Sequence, residues 1–158
     1  MLAEGGIRVP FVAKWKGTIP EGTVYDDPVI SLDFAATAVA AAGLDQPPEL
    51  DGTDLVPYLT GRKRGVPHDV LFWRFWNQTA VRKGNWKYLH VGGKGRYLFD
   101  LSSPEQERKN LIAEHPRIAR KLHRELEAWT EELKKPGIPD GDLNNQEQAW
   151  YKHYFNLS

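Results

Sequence analysis

The sequence predicts an α/β fold, of α+β kind over most of its length. A buried-type strand and its helix come first, followed by a small antiparallel sheet of three to four strands packed on a long C-terminal helix. Three observations predict it. A short apolar run is followed by an alanine-rich helical stretch, a series of brief β-rich runs is punctuated by turn residues, and a long amphipathic stretch closes the pattern.

Val9-Pro10-Phe11-Val12-Ala13-Lys14-Trp15 is continuous rather than alternating in polarity, which predicts a strand covered on both faces. Gly17 to Gly22, with Pro20, breaks it, and Asp26-Asp27-Pro28 makes a second turn. A helix is expected next, with Ser31 as its N-cap. Leu32, Phe34, Ala35, Ala38, Val39 and Ala42 would lie on one side before Gly43 stops it. Residues 46–67, rich in Pro, Gly and charge, form an ordered linker whose one apolar stretch is Leu55-Val56-Pro57-Tyr58-Leu59.

The period then changes. Val70 to Trp76, Ala80 to Arg82, Trp86 to Val91 and Arg96 to Phe99 are the β-rich runs, and Lys83-Gly84-Asn85 is a short glycine-containing connection that favours antiparallel pairing of its neighbours. The cover is a helix from about Pro116 to Lys135, because Ile118, Leu122, Leu126, Trp129 and Leu133 recur every three or four residues. Pro116 suits a first-turn position, and Pro136-Gly137 ends the helix. The polar tail carries Trp150, Tyr151, Tyr154 and Phe155, aromatics expected to dock on the body. The chain thus divides at 1–66, 67–135 and 136–158.

Composition narrows the function classes. Twenty-one basic side chains balance twenty-one acidic ones, so no net field draws the chain to nucleic acid or an anionic membrane, and neither is an expected partner. Cysteine is absent, which excludes disulfides, thiolate metal sites and a cysteine nucleophile. The apolar stretch from Phe34 to Ala42 is too short to span a bilayer. The segment from Met1 to Gly6 lacks the basic and apolar regions of a signal peptide, and nothing else fixes a compartment.

Several motifs in order resemble one family. Glu4-Gly5-Gly6-Ile7-Arg8-Val9-Pro10-Phe11 through Gly17 is similar to the sulfatase segment that follows that family's last catalytic lysine. Asp26 to Thr37, with Ser31-Leu32-Asp33-Phe34-Ala35-Ala36-Thr37, resembles its strand-to-helix passage, with Ala36 where a proline is frequent, and Leu50-Asp51-Gly52-Thr53-Asp54-Leu55 resembles its "DG.SL" turn. Ala80-Val81-Arg82-Lys83-Gly84-Asn85-Trp86-Lys87-Tyr88 is similar to the "VR.G.WKY" hairpin. Tyr97 to Leu101, with Pro104, Glu105, Asn110 and Leu111, resembles "LYDL..DP.E..NL". The chain resembles the C-terminal part of a formylglycine-dependent sulfatase of the arylsulfatase family, within the alkaline-phosphatase superfamily.

The resemblance implies that residues 1–66 are the end of a catalytic α/β domain, contributing its last strand and helix. Residues 67–135 would be the C-terminal subdomain, and 136–158 an aromatic tail. It implies sulfuric ester hydrolysis of a carbohydrate or aryl substrate, with formylglycine and calcium as the cofactors of the full-length family, whose members are often periplasmic, secreted or lysosomal. None of Ser31, Ser102, Ser103 and Ser158 heads a complete C/S-x-P/A-x-R motif. No catalytic residue and no metal ligand is therefore expected here, and Asp26-Asp27 reads as an exposed acidic turn rather than a metal pair. The unpartnered strand and helix predict pairing with a missing N-terminal sulfatase portion, or self-association.

The candidate substrate-binding residues are Arg74, Trp76, Asn77 and His90. Trp and Arg can stack on sugar faces and hold anionic groups, while Asn supplies a donor and an acceptor. An unperturbed histidine titrates near neutrality, so His90, and less so His68, could move protons. His115, His123 and His153 read as surface or packing residues. Arg8 reads as a structural ion pair, and Asn77-Gln78-Thr79 also fits a glycosylation acceptor. Two rival readings are a non-catalytic module binding glycans or a subunit, and a fragment of a related phosphodiesterase.

Overall fold

The structure, a computed structural model, describes residues 1–135 and 144–155. The expected tail therefore lies partly outside the described residues, at 136–143 and 156–158. The chain forms two compact units, one of Met1–Pro10 with Val70–Ser158 and the other of Phe11–Asp69.

In the first unit four strands, β1 (Val70–Phe75), β2 (Gln78–Lys83), β3 (Trp86–Val91) and β4 (Gly95–Asp100), make an antiparallel meander in sequence order. Two-residue turns at 76–77 and 84–85 set the register, and Gly84, at φ 57°, takes a left-handed conformation that suits glycine. Side chains alternate between faces, so each face has its own core. On one, Val81, Tyr88 and Leu98 pack with Ala119, Leu122 and Leu126 of the helix Pro116–Glu132, while Trp129 stacks on Phe72 at 5.0 Å. The 3.6-residue apolar period is what turns these helical positions toward the sheet.

The other face buries Ala80, Leu89, Val91, Tyr97 and Phe99 under Leu2 and Tyr151. Tyr151 belongs to the helix Asn145–Phe155, and Tyr151 and Phe155, one turn apart, are the tail aromatics that dock. Trp150 and Tyr154 do not, being 42% and 57% exposed, because a helix can turn only one stripe inward. Gln78 is fully buried and donates to Glu147 while accepting from the Tyr151 hydroxyl.

Lys87 is also fully buried on this face, with its Nζ 2.8 Å from Glu4 Oε1 and 2.8 Å from Glu107 Oε1. The Glu4 backbone N–H donates to the other Glu107 oxygen at 2.7 Å, so a short helical turn (Glu4–Ile7) is tied to the sheet through the Lys87 charge. Glu107, and not its neighbour Glu105, makes this link. Asn110 closes the outer edge of β4, accepting from Leu98 N at 3.0 Å and donating to Arg96 O at 3.2 Å.

The second unit is organised by the helix Asp33–Ala41 and a helical turn at Val56–Leu59. Asp33 is wholly buried and accepts from Ile30 N, Thr53 N and His68 Nε2, all within 2.8 to 2.9 Å. Thr37 accepts from Leu55 N at 3.0 Å, and a Cβ on Gly52 would overlap the Leu32 carbonyl. Two of the motifs are therefore one clasp: the helix start grips the glycine turn.

Three expectations for the segment from Val9 to Ala42 are corrected. Ser31 makes no cap hydrogen bond, and the inward side of the helix is that of Asp33 and Ala36, leaving Leu32 52% and Phe34 49% exposed. The backbone N–H groups of 53 and 55 need acceptors, and Asp33 and Thr37 supply them only from that side. The run Val9 to Trp15 carries no strand pairing, and Val12 is 90% exposed. A strand exists only by hydrogen bonding to neighbours, and none of the described strands pairs with this run.

Candidate functional site

The strand registers bring four side chains into one row. Arg74 lies opposite Thr79, Thr79 opposite His90, and His90 opposite Arg96. The row continues the face covered by the helix Pro116–Glu132, one step past the apolar row Phe72, Val81, Tyr88 and Leu98. Here the helix contributes His123, Glu127, Thr130 and Glu131, and together with the 76–77 turn these side chains line an open groove of about 470 Å³. All four residues singled out from sequence, Arg74, Trp76, Asn77 and His90, line it.

Arg74 donates to the Lys134 carbonyl at 3.0 Å, which fixes the guanidinium against the end of the helix. Trp76 opens the two-residue hairpin turn at φ 54°. Glycine is the usual residue at such a position, and a bulky one there costs about 1 kcal/mol or more. Its ring stacks on Phe75 at 5.0 Å and 16°. The Asn77 side chain packs where a Cβ on Gly92 would stand, its Oδ1 is buried without a partner among the described residues, and its backbone carbonyl accepts from Gly92 N at 2.9 Å.

His90 is held below the ordinary imidazole range, first by burial and then by Arg96 and His123, with Glu127 opposing. His123, read from sequence as surface or packing, lines the groove and holds Glu127 at 3.2 Å. Arg96, Glu127 and Thr79 were likewise missed. The signal was present, since the hairpin lengths fix which residues stand opposite His90. His68 is drawn off to Asp33 and does not belong to the groove.

The arrangement offers guanidinium, imidazole, amide and carboxylate groups, a set suited to holding a polar, anionic ligand. Among the described residues no three His, Cys, Asp or Glu side chains gather as a metal site, and the chain has no cysteine. Asp27 instead faces Tyr25, whose hydroxyl is pushed up to about 12 by burial and by that carboxylate. Nor is any helix among the described residues long and apolar enough to cross a membrane.

A family model described as N-sulphoglucosamine sulphohydrolase, C-terminal, matches residues 1–132. The chain belongs to this sulfatase C-terminal family. The sulfatase relatives agree. Human steryl-sulfatase is 28% identical, the match covering 87% of this chain and 30% of that protein. Bovine arylsulfatase A is 37% identical over 71% of this chain and 23% of its own length. This sulfatase chain therefore spans less than a third of either relative. Among solved structures, Ps i-CgsB matches with a TM-score of 0.66 at 22% identity, over 88% of this chain and 32% of that one. The phosphonate monoester hydrolase of Agrobacterium radiobacter matches at 0.51 and 23% identity, over 63% and 24%. Both share the fold, a small four-stranded antiparallel sheet with helices.

Proposed function

We propose that these residues are the C-terminal portion of a formylglycine-dependent sulfatase of arylsulfatase kind, hydrolysing sulfate esters of a carbohydrate or aryl substrate. The observation that carries the reading is the convergence of Arg74, Trp76, Asn77 and His90 on one groove in a chain of this family. In this reading the groove contacts the substrate. Arg74 and Arg96 offer guanidinium forks to anionic oxygens, Asn77 and His90 hydrogen-bond the body of the substrate, and Trp76 covers its apolar face.

Cleavage of a sulfate ester calls for an activated nucleophile and a cation that neutralises the sulfate oxygens. Formylglycine would supply the first and calcium the second, and both are assigned to an N-terminal portion with which this chain pairs; without it the chain self-associates and is inactive. Reading the transcript upstream of the Met1 codon tests the proposal. An in-frame C/S-x-P/A-x-R motif with an acidic pair before it is expected, and an uninterrupted upstream frame with neither would overturn it.

A further inference from the structure

We propose that a second hollow, where Tyr88, Arg96, Arg120 and His123 meet, is a binding site for a free divalent oxyanion such as inorganic sulfate or phosphate. The inference goes beyond the sulfatase reading and does not rest on it.

Two elements build the hollow. Tyr88 of β3 and Arg96 of β4 lie on the sheet face that the helix Pro116–Glu132 covers. Pro116, Ala119, Arg120 and His123 recur at three- and four-residue spacing, so one side of the first two helical turns faces them. With Ile112 these residues bound about 140 Å³. That space admits several waters or one tetrahedral ion, and it is well below the roughly 300 Å³ at which sites for larger organic ligands begin. Arg96 and His123 also line the groove, whereas Arg74, Trp76, Asn77 and His90 do not line this hollow.

Three observations carry the inference. Two guanidinium groups line the hollow and no carboxylate does, and neither Arg96 nor Arg120 has an ion pair among the described residues. Like charges gathered without a counterion are held at a cost that an anion removes. Tyr88 is 1% exposed, yet its hydroxyl has no hydrogen-bond partner among the described residues. Burial pushes that hydroxyl up, with Arg96 opposing and Glu127 adding to it, so it stays a donor at neutral pH. His123 Nδ1 is buried without a partner among the described residues, while its Nε2 stands 3.2 Å from Glu127.

The histidine couples the site to pH. In its charged form the ring donates Nε2–H to Glu127 and Nδ1–H to the anion; in its neutral form Nε2–H stays with Glu127 and Nδ1 presents a lone pair that repels an anion. The charged and titratable groups facing it are Tyr88, His90 and Arg96 from the strands and Arg120 and Glu127 from its own helix. Ile112, ahead of the helix, brings no charge. Binding therefore tightens as pH falls.

Calorimetric titration of the 158-residue chain with sodium sulfate tests this, against sodium chloride at equal ionic strength. One saturable site per chain is expected, with a Kd of about 1 mM at about pH 6 and at least about threefold weaker at about pH 7.5. Sulfate keeps its charge over this range, so only the protonation of the protein changes. Arg120→Gln is expected to weaken binding about tenfold with the urea midpoint unchanged, since residue 120 is exposed. Tyr88→Phe keeps the ring and is expected to weaken it about threefold. His123→Gln is expected to flatten the pH dependence. Amide shifts are expected at Ile112, Ala119 and Arg120. No saturable heat beyond chloride, unchanged affinity in Arg120→Gln, equal affinity at the two pH values, or amide shifts centred on residues 76–79, which would put the ion in the groove, would overturn the site.

Discussion

The ammonium of Lys87 meets the carboxylate of Glu4 at 2.8 Å from a position wholly out of solvent, 83 residues away in sequence. Glu107 completes the cluster at the same distance, so one buried cation balances two half-buried anions. Removing the cation strands Glu107 and leaves Glu4 only the more distant Arg82, at 3.9 Å. Lys87→Ala should therefore destabilise the sheet unit by about 3 kcal/mol or more, read from urea midpoints. Glu105→Gln should shift the midpoint by less than about 0.5 kcal/mol, whereas Glu107→Gln should cost several times that, because only the second touches Lys87.

The clasp in the other unit should be as sensitive. Asp33→Ala leaves two backbone N–H groups without acceptors and should cost about 3 kcal/mol. Hydrogen exchange should then quicken at 30–33 and 53–55 while the four strands keep their protection. Gly52→Ala should act in the same direction, since its Cβ would run into the Leu32 carbonyl.

Acidification should weaken the sheet unit through His90. Its folded value lies below that of the unfolded chain, so the unfolded state binds more protons in that window. The stability is present above about pH 6.5 and is lost as pH falls toward the lowered value. Thr79 and Arg96 from neighbouring strands and His123 and Glu127 from the helix face the ring. Urea midpoints at pH 7.5 and 5.5 should differ more in the native chain than in His90→Gln.

Asn110→Ala should expose the outer edge of β4. The side chain accepts from two backbone N–H groups and donates to one carbonyl, and its loss should cost about 2 kcal/mol. Faster exchange at Leu98 N–H is the readout.

Elements fixed by local pattern were legible in the sequence. The glycine turn at Gly84 set a hairpin, and the spacing of Leu122, Leu126 and Trp129 set a helix and its inward face. Elements fixed by distant partners were not. Val9 to Trp15 has β-forming composition, yet composition cannot supply the neighbouring strand that pairing requires. The helix at Asp33 turned its polar side inward because the backbone at Thr53 and Leu55 needed acceptors, which no hydrophobic period reveals. The site behaved likewise. Arg74, Trp76, Asn77 and His90 stood out by residue type, but Arg96, His123 and Glu127 became visible only through register and the helix laid across it.

Whether the chemistry of sulfate ester cleavage resides in these residues is open to a direct test. The direct measurement is release of 4-nitrophenol from 4-nitrophenyl sulfate by the purified chain with calcium. No release above buffer is expected; steady turnover that disappears on chelation and returns with calcium would contradict the account.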